Sequence, residues 1–108
     1  MIEEQRKLQI EVLKRTLRDL LSPGSFEMVL FGSRARGDYS DESDLDIAII
    51  VKGLTRAMKM LILEKVAESE LQYLLPVSAL ILSKEEFEHL KNRERRIALD
   101  IEKEGIPL

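Results

Sequence analysis

Apolar residues recur at Ile10, Leu13, Leu17, Leu20 and Leu21, the spacing of one helical face, and the triplet "SPG" at 22–24 stops the run. The pattern predicts an amphipathic first helix. "FEMVLF", 26–31, lies between two glycine breaks, is too short for a buried helix and is rich in strand formers, so it is predicted as a buried strand ending at Gly32. In "DLDIAIIV", 44–51, Leu45, Ile47, Ile49 and Val51 fall on one face and Asp44, Asp46, Ala48 and Ile50 on the other, which predicts a second strand with its polar end first. Gly53 breaks it. A long helix follows, with Met58, Leu61, Ile62 and Val66 on one stripe, ending near Leu75.

"PVSALIL", 76–82, is a short, nearly continuous apolar run opened by proline, as suits a third strand. "SKEE" then predicts a capping box, with Ser83 as N-cap and Glu86 three residues on. The last helix is expected to turn Phe87, Leu90, Ile97, Ala98 and Ile101 inward and to close at Gly105 and Pro107. The order helix, strand, turn, strand, helix, strand, helix predicts an α/β layer fold: a small mixed sheet of three or more strands flanked by helices, with edges in need of protection.

At 108 residues the chain suits a single domain, 1–108, with one core. Seventeen basic against twenty acidic residues leave a net charge of -3, which argues against gripping nucleic acid by global charge. No cysteine is present, so disulfides, thiolate zinc sites and a cysteine nucleophile are excluded. The first residues lack the apolar core of a secretory signal and no apolar run approaches the roughly 20 residues of a membrane span, so the expectation is a cytoplasmic protein without a membrane partner. Abundant Glu, Lys and Arg beside a single asparagine lean toward a heat-adapted source.

The chemistry concentrates in "FGSRARGDYSDESDLDIAII", 31–50. Gly32 and Ser33 sit where a strand turns into "RARGD", read as one short helical turn; glycine allows a phosphate close to the backbone, the following amides point at an anion, and the hydroxyl adds a donor. Arg34 and Arg36 are candidate cationic forks beside it. Asp44 and Asp46, two apart on a strand, project from one face. Two carboxylates that close repel unless a cation lies between them, and an oxygen-only set suits a hard ion such as Mg²⁺. Acids and phosphate turn thus read as two halves of one metal-nucleotide site.

Gly-Ser, ten residues, Asp-x-Asp, met by Gly32, Ser33, Asp44 and Asp46, resembles the signature of the DNA polymerase beta nucleotidyltransferase superfamily. Four fixed positions, each at about 5 to 7% background usage, arise by chance in such a chain roughly once in a thousand. The small size is similar to the minimal nucleotidyltransferase branch, which in prokaryotes is often paired with a HEPN-type RNase toxin. The resemblance implies a nucleotidyltransferase fold, a nucleoside triphosphate such as ATP as substrate, one or two Mg²⁺ ions on Asp44 and Asp46, and triphosphate binding at Gly32 and Ser33. It further implies transfer of AMP to a hydroxyl on a partner, a tyrosine of a HEPN toxin subunit.

Active relatives usually carry a third carboxylate on the neighbouring strand, and in "LPVSALILS" that position falls on Ser78, or on Ala79 if the register slips by one. Neither is an acid. Glu85 and Glu86 do not substitute, because seven residues of strand span roughly 23 Å. A missing general base costs on the order of 10² to 10⁴ in rate. Two readings therefore stand: an enzyme, or a binding module that keeps the fold and neutralises a toxin by complex formation. Other candidates have plainer readings. His89 is expected in solvent; Arg93, Arg95 and Arg96 form a basic run on the last helix, offset by Glu94, Asp100 and Glu102. Met58 and Met60 read as core fillers, and Tyr39 as a loop aromatic able to stack on a base. Asp38, Asp41 and Glu42 read as loop solvation, with Asp41 able to steer metal toward the site. Copy number is left open, a homo-oligomer included.

Overall fold

The computed structural model describes residues 2–40 and 42–108; Asp41 and the metal-steering role read for it lie outside the described residues. The elements are α1 (Ile2–Leu20), β1 (Phe26–Phe31), α2 (Ser33–Arg36), β2 (Leu45–Val51), α3 (Arg56–Tyr73), β3 (Val77–Ser83), α4 (Lys84–Asn92), α5 (Arg96–Glu104) and β4 (Ile106–Pro107). They form a mixed four-stranded sheet in the order β3-β2-β1-β4. β1 runs antiparallel to β2 and β4, and β2 parallel to β3 through the α3 crossover. The expected α/β layer fold is the observed one.

β2 is central because both of its faces are apolar. Leu45, Ile47, Ile49 and Val51 pack with Leu13 and Leu17 of α1, with Leu21 just after it, and with Ile62 and Val66 of α3. Ala48 and Ile50 pack with Leu82, Phe87 of α4, and Ala98 and Ile101 of α5. The sheet thus separates two cores, and the residue alternation along β2 decides which helix pair each side chain meets. The capping box is present: the Ser83 hydroxyl accepts from the Glu86 amide at 3.0 Å, and the Ser83 amide donates to Glu86 Oε1 at 3.0 Å.

Several expectations are corrected. The last helix is two helices: Arg93 caps α4, Glu94 takes a left-handed φ of 54°, and Arg95 opens α5, so the basic run occupies a bend. A straight helix over 84–104 would reach about 31 Å; bending keeps Phe87 and Ala98 on the same core. Ile97 is consequently turned outward, as are Leu20, Leu61 and Met60. The long helix ends at Tyr73, with Leu74 in left-handed conformation. Asp44 lies one residue before its strand. The added β4 covers part of the β1 edge, where Leu30 pairs with Ile106 and Val29 with Pro107; a proline is tolerated there because an edge strand need not donate.

Candidate active site

Gly32 links β1 to the single turn of α2 with φ 74°, a left-handed value that glycine adopts without strain. Its carbonyl accepts from the Ala35 and Arg36 amides, both at 3.1 Å, which sets the turn. Phe31 pairs with Asp46 across the antiparallel ladder. This register lays the Asp46 carboxylate directly over Gly32: a Cβ there would collide with Asp46 Oδ2 and lie 3.0 Å from its Cγ. Glycine is therefore required twice, for the backbone angle and for the carboxylate's approach. Gly32 and Asp46, fourteen positions apart in sequence, meet.

Ser78 is the next contact. The parallel register pairs Asp46 with Ser78 and Ile47 with Ala79, so Ser78 shares the acid's face and Ala79 belongs to the opposite core. Asp46 is partly buried, while Asp44 and Ser78 are exposed. Burial, foremost, and then repulsion from Asp44 push the Asp46 carboxyl above its ordinary value, against hydrogen bonding from Ser78 and the attraction of Arg36. Among the described residues no cluster of three or more His, Cys, Asp or Glu side chains converges as a metal site. The donors in reach of one another are two carboxylates and a hydroxyl, all oxygen.

The two arginines of α2 part company. Arg34 is buried, with Nε donating to Ser43 O (3.2 Å), Nη1 to Glu3 Oε1 (2.9 Å) and Nη2 to Ser40 O (3.4 Å), and its guanidinium lies 4.6 Å from the Tyr39 ring centroid. Two of the nitrogens of Arg34, read from sequence as a cationic fork for the nucleotide, are thus held by the Ser43 and Ser40 carbonyls and the third by Glu3. One face of Tyr39 is used as well. Arg36 is exposed, paired with Asp38 and Glu104 at 3.2 Å each, and is the cation whose charge reaches Asp46.

The sequence reading missed Arg6 and Gln9. Both are buried, at 3% and 0% exposure. Arg6 Nη1 donates to Pro76 O at 2.6 Å and Nη2 to Ser43 O at 3.3 Å; Gln9 Nε2 donates to Leu75 O at 3.0 Å. The Leu45 amide also donates to Pro76 O, at 3.4 Å. Arg6 and Arg34 thus converge on the carbonyl just before Asp44, and Arg6 ties that loop to the start of β3, two residues from Ser78. Arg6 Nε has no partner among the described residues. The signal was in the spacing, since Arg6 and Gln9 continue the Leu13 and Leu17 stripe by helical steps.

His89 is exposed on α4 and Glu86 is committed to its cap, both away from the acid pair. A cavity of about 620 Å³ lies elsewhere, between Lys14 and Arg18 of α1 and the outer edge of β1. No described helix is long and apolar enough to cross a membrane.

The chain is similar to known proteins. A Methanocaldococcus jannaschii chain described as a "Putative protein adenylyltransferase" is 37% identical over 79 residues, covering 69% of this chain and 80% of that one. A crystal structure of a "putative nucleotidyltransferase" from Sulfolobus solfataricus covers 96% of this chain and 76% of its own, at 25% identity and TM-score 0.48. Residues 10–105 match the family described as "Nucleotidyltransferase domain". Since that match spans most of the chain, from within α1 to the end of α5, the chain belongs to the nucleotidyltransferase domain family.

Proposed function

We propose that the chain transfers AMP from ATP to a hydroxyl on a partner protein, with Asp44 and Asp46 as the metal-holding carboxylates and Gly32 and Ser33 as the triphosphate cradle. The observation that carries this reading is the contact between Gly32 and the Asp46 carboxylate, which sets phosphate loop and acid pair side by side. The oxygen-only donor set and the mutual repulsion of the two acids fit Mg²⁺. Bound there, the metal supplies charge neutralisation for the triphosphate and the leaving pyrophosphate.

The chain's own residues do the rest. Gly32 admits the phosphates, Ser33 offers its hydroxyl, and Arg36 adds positive charge at the rim. The acceptor oxygen bonds to the α-phosphorus, the bond from that phosphorus to the bridging oxygen breaks, and pyrophosphate departs with the electron pair. The acceptor proton passes to water, because a serine at 78 is no base near neutrality. Relatedness to a chain named for protein adenylylation supports a protein acceptor; a HEPN-type toxin is the acceptor we put forward, with the chain acting as its antitoxin in the prokaryotic cytoplasm.

A second reading is favoured by one observation, the hydroxyl of Ser78 in the third-carboxylate position: a catalytically weakened subunit that silences its toxin by binding. Incubation of the purified chain with labelled ATP, Mg²⁺ and the protein encoded beside its gene separates the two. Label on the partner that disappears with Asp44→Ala and with Asp46→Ala is expected. A stable complex without label, at any Mg²⁺ concentration, overturns transfer in favour of masking.

A further inference from the structure

Asp46 has a functional neighbour on each side. Toward β1 its carboxylate lies against Gly32, and toward β3 the parallel register sets Ser78 beside it, the hydroxyl donating toward the carboxylate. The strand order therefore lays a row across this end of the sheet: hydroxyl on β3, acids on β2, phosphate loop after β1. With neighbouring strands about 4.8 Å apart, the two ends of the row are about 10 Å apart. Ser78 is exposed and shares the face of Asp46.

We propose that Ser78 is itself an acceptor: without a partner present, the chain transfers AMP from ATP to its own Ser78 hydroxyl. This rests on the transfer reading above and adds to it a modification site. Displacement at phosphorus sets the attacking and leaving oxygens roughly in line. A triphosphate tail held at Gly32 and Ser33 draws the pyrophosphate toward β1, so the attacking oxygen has to arrive from the β3 side, where Ser78 stands. Its Oγ bonds to the α-phosphorus, and the bond from that phosphorus to the oxygen bridging toward the β-phosphorus breaks. Pyrophosphate leaves with the electron pair, and the hydroxyl proton passes to solvent.

The other hydroxyls nearby are placed for other work. Ser33 belongs to the cradle, on the leaving-group side. Ser43 Oγ accepts from the Ser40 amide at 3.0 Å and lies 3.4 Å from Ser40 Oγ, and Tyr39 packs on Arg34 over a hollow it shares with Glu3 and Ile10 on the α1 side. Magnitudes favour the built-in acceptor. A well-oriented group in the same molecule acts at an effective concentration of about 10⁵ to 10⁸ M, which outweighs the 10² to 10⁴ lost on the order of one missing base. AMP on Ser78 then fills the acid face, so each chain acts once on itself.

Purified chain incubated with Mg²⁺ and ATP labelled at the α-phosphate, with no other protein, should gain one AMP on the peptide that carries Ser78, located by mass spectrometry. The rate should be independent of chain concentration, and ATP labelled at the γ-phosphate should leave no label. Ser78→Ala should lose the label, and Ser78→Thr should keep it at a severalfold lower rate. Because the natural chain has no cysteine, Ser78→Cys gives a readout without turnover: an ATP analogue with a methylene between the α- and β-phosphates should slow alkylation of that single thiol severalfold. Label on a partner protein with none on the chain overturns self-transfer and leaves the proposed function standing, whereas label on neither overturns both. Self-label that survives Ser78→Ala, maps to another hydroxyl or speeds up with chain concentration also overturns the proposal, as does alkylation of Ser78→Cys that the analogue does not slow.

Discussion

At the end of the sheet where β2 and β3 begin, the two faces are built oppositely. On the α1 side Leu45 is 2% exposed, and Arg6 and Gln9 seal the strand starts with donors to Ser43, Leu75 and Pro76 carbonyls. On the other side, at the same level, Asp44 and Ser78 lie in the open and Asp46 is only partly covered. The sealed face spends its polar groups on backbone carbonyls. The open face keeps two acids together although burial and repulsion both raise the proton affinity of Asp46. The difference teaches that rigidity and chemistry are assigned to opposite sides of the same strands, and substitutions on each side are expected to separate activity from stability.

The largest separation belongs to Asp46→Asn. Nucleotidyl transfer is expected to fall at least about 100-fold, as for loss of a group that acts only on the reacting charge. The apo protein should nevertheless melt higher at neutral pH. A carboxyl whose pKa is raised in the folded state destabilises the fold once ionised. That cost appears as pH rises from the ordinary value of 3.8 and is complete once pH exceeds the raised value. The melting gap between variant and wild type should therefore open with rising pH and close in acid; a gap that is flat or reversed contradicts the burial of Asp46.

Ser78→Asp tests the open face in the other direction. Its register opposite Asp46 puts a third carboxylate into the donor set, so about a tenfold gain in transfer or in Mg²⁺ affinity is expected, below the 10² to 10⁴ available to a full general base. No change in either would remove position 78 from the chemistry. On the sealed face, Leu17→Ala should cost about 2 to 5 kcal/mol in denaturant unfolding while the folded fraction retains its transfer rate.

Arg6→Met crosses the boundary between the faces. It removes one of two donors from each of the Pro76 and Ser43 carbonyls, the Leu45 amide and Arg34 Nε remaining, so a loss of about 1 to 3 kcal/mol in all is expected. It also loosens the residue before Asp44, so transfer measured under stabilising conditions should drop severalfold. An effect on melting alone would make Arg6 purely structural. The smallest change is Ser83→Ala, expected to cost about 1 kcal/mol through the lost cap of α4 without altering transfer.

What the sequence revealed follows from which forces are local. β1 was legible to the residue, because a strand bounded by Gly32 and a turn leaves no alternative, and the capping box was legible because Ser83 and Glu86 satisfy each other. The approach of Asp46 to Gly32 accords with the motif spacing. The fates of Arg34 and Arg36 were not legible, since they depend on where the Ser40 and Ser43 carbonyls and the carboxylates of Glu3, Asp38 and Glu104 come to lie around a single helical turn. The bend at Glu94 carries no glycine or proline to announce it, and is set by the need of both α4 and α5 to reach one core. Met60 read as core because an apolar residue on a helix does not say which of two oily sides faces home.

The short β4 bears on how the molecule is made. Leu30 meets its partner Ile106 only after the helices and strands between them have been synthesised, and the Leu108 amide closes the joint on the Met28 carbonyl at 2.9 Å. Until then the outer rim of β1 presents bare peptide groups, a template for mispairing between nascent chains. Final docking of 106–108 is thus a late quality gate in folding: a chain shortened by those residues should keep its helices yet aggregate during expression.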